Sequence, residues 1–336
     1  MPPPMNIQIV AQRAGVSVAT VSRAFNFPDK VAPATRAVVE RVAAELGYIA
    51  NASARTLRTQ RSRVLGVVLP TLLNPTFAEC LQGIAQTAAA GGYAIVPVTT
   101  DYQLAEEERA VNQLLAGNVD GMILVVSNPT TSQALERLRA NAVPYVLAYN
   151  RHASHPCVSV DSEGASADVV ARLVRLGHRR IAMVTGTMAA SDRAQQRYRG
   201  YLQGMDAAGL TAPPVLEVPF VETAVDALRH YLAQAPRPTA LFCSNDLLAI
   251  RSIRAASLDG LRVPQDLAVV GFDGIALGQD LTPALSTVMQ PNHDIGRHSV
   301  ELLVKALADG VVPSADASLL LPHAFREGES CAAAAP

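Results

Sequence analysis

The residues in this sequence best able to engage a small molecule are polar side chains that close short apolar runs: Asn74, Asn150, Arg151, Asp161, Asn245, Asp273 and Gln290. They supply amides, carboxylates and a guanidinium, groups that hold hydroxyls through directed hydrogen bonds. No nucleophile stands beside a base in a recognisable pattern. There is no Gly-x-Ser-x-Gly elbow, phosphate-binding glycine loop or zinc-protease signature, so these residue types point to binding and not to an enzyme. His152 and His155 have a spacing that could suit a metal, but they lie in a Ser/Pro loop without an acidic or cysteine partner, so no metal and no cofactor is expected. Cys80, Cys157, Cys243 and Cys331 are widely dispersed and read as free thiols of a reducing compartment.

A second set of residues carries a different chemistry. In Ala11-x-x-Ala14-Gly15-Val16-Ser17-Val18-Ala19-Thr20-Val21-Ser22-Arg23, small residues sit where two helices cross, a glycine sits at the turn, and Ser17 can cap the second helix. Val16 and Val21 then fill a small core, while Val18, Ala19, Ser22 and Arg23 face outward. This is how a helix-turn-helix offers a recognition helix to the major groove of duplex DNA. Arg23 can pair with a guanine, Val18 and Ala19 can touch a thymine methyl, and the hydroxyls of Thr20 and Ser22 can reach phosphates. Charge agrees with this. From Met1 to Arg63 nine basic residues outnumber three acidic ones, a net +6, so a chain of net charge −1 carries −7 on its remainder. A basic head on an acidic body fits a polyanionic partner for the head.

The elements that must position these residues show in the texture of the chain. Up to Tyr48 it reads as short helices: Ile7, Val10, Ala11 and Ala14 share a face, and a third helix from Pro33 buries Val38, Val42 and Leu46 until Gly47 stops it. Asn51 to Arg58 is small-residue and partly basic, a marginal helix by itself. After Arg63, short apolar runs alternate with helical stretches: 64–70, 94–100, 121–126, 145–150, 158–161, 181–186, 215–220, 240–245, 267–273 and 285–290. Continuous apolar strands separated by helices indicate buried parallel sheets, here two doubly wound α/β lobes behind an all-helical head. Ligands bind beyond the carboxyl ends of such strands, which is where the polar residues named first are found. A hydrophobic fraction of 49% without a long apolar run suits large cores and no membrane span. With no secretory signal pattern at its start, the protein is expected in the cytoplasm. The alanine-rich stretch from Cys331 to Pro336 reads as a disordered tail.

The chain resembles the LacI/GalR family of bacterial regulators. The likeness rests on the run from Ser17 to Arg23, Val31-x-Pro33-x-Thr35-Arg36, Leu46-Gly47-Tyr48-x-x-Asn51-x-x-Ala54-Arg55-x-Leu57-Arg58, Asn74-Pro75-x-Phe77-Ala78, Leu176-Gly177-His178-Arg179-Arg180-Ile181 and Val269-Val270-Gly271-Phe272-Asp273. It spans nearly the whole chain. Ile9 departs from it, standing where the family usually carries an acidic residue. The resemblance implies a transcription repressor with operator DNA as partner, its head reading DNA through Ser17, Val18, Ala19, Thr20, Ser22, Arg23 and Asn26. It makes Asn51, Ala54, Arg55, Leu57 and Arg58 a hinge helix, with Leu57 as a minor-groove wedge.

The body also resembles periplasmic pentose-binding proteins. By that likeness Phe77 and Phe220 sandwich a sugar ring, and Asn74, Asn150, Arg151, Arg197, Asn245, Asp273 and Gln290 bond its hydroxyls. Asn150 replaces a common Asp, Thr76 replaces a common Phe, and Arg193 adds a cation. The expected effector is therefore a sugar or a sugar acid. The implied organisation is a head at 1–50, a hinge at 51–63 and a two-lobed domain at 64–336, with one lobe from 64–161 and 291–321 and the other from 162–290 and 322–330. A homodimer is expected on pseudo-palindromic DNA, and a tetramer is not, since the chain shows no terminal leucine heptads. The alternative is a cytosolic sugar-binding or sugar-modifying protein with an accessory helical head.

Overall fold

The structure is a computed structural model that describes residues 6–48, 61–220 and 223–334; the side chain of Asn26 is also outside the description. It divides into two compact units between Arg63 and Val64.

The first unit contains α1 (Ile7–Ala14), α2 (Val18–Asn26) and α3 (Pro33–Leu46). Local chemistry sets each boundary. The Asn6 side chain accepts from the Gln8 and Ile9 amides, and Ser17 Oγ accepts from the Thr20 amide at 3.1 Å, so exposed donors at both helix starts are satisfied. Gly15 ends α1 in the left-handed region at φ 65°, as the tight turn requires. Val10, Val21 and Val39 are fully buried and lock the three helices together with Ala11, Ala24, Val42 and Ala43.

Among its described residues the second unit has two six-stranded sheets. The strands in sequence order are β1 (Val64–Leu69), β2 (Ala94–Thr99), β3 (Gly121–Leu124), β4 (Tyr145–Ala148), β5 (Cys157–Val160), β6 (Ile181–Gly186), β7 (Leu216–Val218), β8 (Ala240–Cys243), β9 (Ala268–Asp273), β10 (Ser286–Met289), β11 (Leu319–Leu321) and β12 (Ala324–Arg326). One sheet runs β11-β5-β4-β3-β1-β2 and is wholly parallel. The other runs β12-β10-β9-β8-β6-β7 and is parallel except for β12, which pairs antiparallel to β10 with Thr287 opposite Arg326. The connecting helices are α4 (Pro75–Ala90), α5 (Leu104–Ala116), α6 (Gln133–Ala140), α7 (Ser162–Arg175), α8 (Asp192–Ala207), α9 (Val225–Leu232), α10 (Asp246–Leu258) and α11 (Asn292–Asp309). The chain changes sheet three times: after β5, after β10 and between β11 and β12. Among the described residues no helix is long and apolar enough to cross a membrane.

Where α4 crosses α11 the backbones nearly touch, and a Cβ on Gly83 would lie 2.1 Å from the His293 carbonyl oxygen. Only glycine fits there. Fully buried Leu65, Ile84, Ile123, Val146 and Leu303 form part of the core this crossing closes.

Two features depart from the sequence reading. The last two strands were not foreseen, because they are only three residues long and sit at sheet edges. The expected disordered tail is anchored as far as Ala334. Ser330 exchanges bonds with Val269 (2.7 and 2.6 Å), His178 Nε2 lies 2.9 Å from the Ala332 oxygen, and the Ala334 amide donates to Leu176 at 2.8 Å. Within 331–334 the groups engaged are the Ala332 carbonyl and the Ala334 amide, both backbone, which an alanine-rich composition does not reveal.

Candidate functional site

The carboxyl ends of strands from both lobes meet around a cavity of about 30 Å3. Asn74 follows β1, Tyr102 follows β2, Tyr149 follows β4, Phe220 follows β7, Ser244 and Asn245 follow β8, Asp273 ends β9 and Gln290 follows β10. Three of the helices begin there with capped N-termini. Asn74 caps α4 by accepting from the Thr76 amide at 3.2 Å, Ser191 caps α8 from the Ala194 amide at 3.2 Å, and Asn245 caps α10 from the Leu248 amide at 2.8 Å. The positive ends of three helix dipoles therefore converge on one small volume.

Asp273 is the hub of the cavity. Its backbone sits at φ 120°, a costly conformation for a non-glycine residue and one typical of functional sites. Its carboxylate accepts from Gln290 Nε2 at 2.9 Å and from Asn74 Nδ2 at 3.4 Å, and pairs with Arg197 at 3.3 Å. Arg197 also donates to the Ser244 carbonyl and lies 3.7 Å over the Phe272 ring. Its Nε has no partner among the described residues. Burial raises the pKa of Asp273 and lowers that of Arg197, and each charge opposes the shift of the other. Behind them Asp246 accepts from Thr287 Oγ1 at 2.5 Å and from the Ile275 amide at 2.8 Å. Burial, then the charge of Asp273, push its carboxyl up to about 7.

Beside the cavity a bridge joins the lobes. Arg193 donates to the Val126 carbonyl and to Asp192, both at 2.9 Å, and the Asp192 amide donates to the Ser127 carbonyl at 2.7 Å. Asn150 is fully buried in this bridge, with its amide engaged by Val126 and Asp192.

Of the ten expected ligand residues, Asn74, Phe77, Arg193, Arg197, Phe220, Asn245, Asp273 and Gln290 line the cavity. Asn150 and Arg151 do not. Asn150 has its donors and its acceptor taken up inside the protein. Arg151 is exposed, pairs with Asp161 at 3.1 Å, and lines a separate groove of about 810 Å3 with His152, Glu163 and Arg199. The aromatic rings have unexpected neighbours. Phe220 stacks on Tyr102 with centroids 4.5 Å apart and planes at 15°, and Phe77 meets Tyr149 edge-on at 5.6 Å. Tyr102, Tyr149, Ser191 and Ser244 were missed. The rule that singled out polar residues at strand ends reaches Tyr102, Tyr149 and Ser244 as well, once extended by one or two positions and to the scarce aromatics.

In the first unit Ser17, Val18, Ala19 and Arg23 are exposed, Thr20 and Ser22 are half-buried, and Val21 is inside. Thr20 Oγ1 lies 2.9 Å from Ser17 Oγ, so this hydroxyl already has a partner within the cap. Asn26 ends α2. Asn51, Ala54, Arg55, Leu57 and Arg58 lie outside the described residues.

A family model described as bacterial regulatory proteins, lacI family, matches residues 6–51, and one described as a periplasmic binding protein-like domain matches 170–331. Catabolite control protein A of Priestia megaterium is 35% identical over 330 residues, covering 95% of this chain and 97% of that protein. The HTH-type transcriptional repressor CytR of Escherichia coli strain K12 is 35% identical over 301 residues, covering 88% and 87%. Among solved structures, the lac repressor dimer bound to operator and the anti-inducer ONPF matches with a TM-score of 0.86 at 27% identity, covering 98% of this chain and all of that one. A complex of the transcriptional regulator CelR with cellobiose matches with a TM-score of 0.72 at 29% identity, covering 97% and 99%.

Proposed function

The chain belongs to the LacI family of bacterial regulatory proteins, and on that premise we propose that it represses transcription from operator DNA read by α2, under control of a small sugar or sugar acid held in the cavity between its lobes. The observation that carries the first half is the exposed row of Val18, Ala19 and Arg23 on a helix whose start is fixed by Ser17. Arg23 reads a guanine, and Leu57 supports the complex as a minor-groove wedge. The second half rests on the cavity, where Asp273, Arg197 and three helix N-termini present donors and acceptors suited to hydroxyls.

One helix-turn-helix covers too little DNA for high specificity, so the working form is a homodimer on a pseudo-palindromic site. The outer edge of β2 supports this, because its apolar strand is largely exposed, with Val96 43% accessible. The relatives in complex with operator and with cellobiose support both partners. On this reading the protein is a regulator and not an enzyme, acting in the bacterial cytoplasm. A gel shift with promoter DNA against random DNA over a salt series tests it, followed by a thermal-shift screen of sugars and sugar acids. Retention of promoter DNA should exceed that of random DNA and fall steeply with salt. Equal retention of both sequences would refute operator reading.

A further inference from the structure

Phe220 is the aromatic platform of the cavity, and it is covered on two sides. From its own lobe comes Gly186: a Cβ there would lie 2.1 Å from the ring, so the ring rests directly on that backbone. From the other lobe comes Tyr102, carried on the loop after β2, which stacks on Phe220 at 4.5 Å and 15°. That loop is tightly wound. Asp101 and Tyr102 both take left-handed backbone conformations, at φ 47° and 60°, and the turn is closed by the Thr100 amide on Leu69 and the Gln103 amide on Thr100. The remaining cavity of about 30 Å3 admits a water and no more, whereas ligand pockets measure about 300–1,000 Å3.

We propose that Tyr102 is a built-in competitor for the effector: its phenol ring occupies the stacking position on Phe220 that a ligand ring must take. This rests on the cavity being the effector site. The effector class follows from the exchange. A cyclic solute with a flat apolar face regains the stacking that the tyrosine loses, while an acyclic polyol or acid does not. Tyr102 thereby sets both the affinity threshold and a preference for rings.

The test is calorimetric titration of the full chain with D-ribose, cellobiose and the acyclic acid D-gluconate, for wild type, Tyr102→Ala, Tyr102→Phe, Phe220→Ala and the Tyr102→Ala/Phe220→Ala double variant. Asp273→Ala serves as the control that any heat comes from the cavity. Tyr102→Ala should bind a cyclic probe about two- to tenfold more tightly than wild type, the range expected when a competing aromatic pair is removed. Tyr102→Phe keeps the ring and should match wild type. In the Phe220→Ala background the gain from Tyr102→Ala should vanish, because the two rings act as one unit. Weaker or equal binding by Tyr102→Ala, with binding still lost in Asp273→Ala, would make Tyr102 an ordinary wall of an intact effector site and overturn the proposal. Silence of every probe on both wild type and Tyr102→Ala would reject the cavity itself as a sugar site, and the proposal with it.

Discussion

Asn150 of the first lobe donates to Asp192 of the second at 2.6 Å, while its amide also donates to the Val126 carbonyl and accepts from the Val126 amide. One side chain thus satisfies a strand end and ties the lobes together. Burial raises the pKa of Asp192. Asn150→Asp sets a second carboxyl against it, and two carboxylates so close cannot both ionise. The pair's folded-state pKa then lies above its unfolded value, so stability falls as pH rises through that range and returns on acidification. Thermal melts should show Asn150→Asp close to wild type near about pH 5 and several degrees below it near about pH 8. A pH-independent difference would mean that the two side chains do not face each other.

Asp246 is predicted to work against stability at neutral pH. Its folded pKa, about 7, lies above the ordinary 3.8, so the folded state holds a proton that the unfolded state releases, and stability declines as pH climbs between these values. Asp246→Asn removes that decline and keeps an oxygen for the Ile275 amide. Its melting temperature relative to wild type should rise from about pH 4 to about pH 7 and level off above. A constant offset would refute the shifted pKa.

Much of this was legible in the residues. Ser17, Gly15, Pro33 and Gly47 mark helix ends through local chemistry that needs no tertiary partner, so the head could be read directly. Asp273, Asn245 and Asn74 line the cavity, where the fixed place of strand ends in parallel sheets led the sequence reading to put them. Asn150 sits at such an end too, yet its amide turns inward to Val126, and residue type alone does not tell a ligand donor from a backbone brace. The stacking of Tyr102 on Phe220 joins residues from different lobes, a distance that no local pattern encodes. The last two strands depend on neighbours far away in sequence for the same reason.

Arg23→Ala should lose discrimination at one guanine-containing position of the operator, at a cost of about 1–3 kcal/mol. Binding to operators substituted base by base measures this. A uniform loss over all sequences, random DNA included, would reassign Arg23 to the phosphate backbone.

Asp273→Asn should uncouple the effector. It keeps the shape and an acceptor for Gln290 while removing the charge that faces Arg197. Effector affinity should fall by about tenfold or more, the order of a charge-assisted bond. Operator titration with and without effector checks this, and a normal response would place the effector elsewhere.

The order of the sheets has a consequence for how the protein is made. β11 completes the first lobe and β12, together with the tail through Ala334, completes the second, although each lobe begins long before. During synthesis the ribosome must deliver residues near 319–334 before either lobe can close its edge. Domains built from one contiguous segment can fold one after another as they emerge. Here two lobes have to wait for the same final stretch, so a nascent polypeptide stalled short of Leu319 carries two unfinished sheets, and a separately expressed lobe has no contiguous gene segment to encode it.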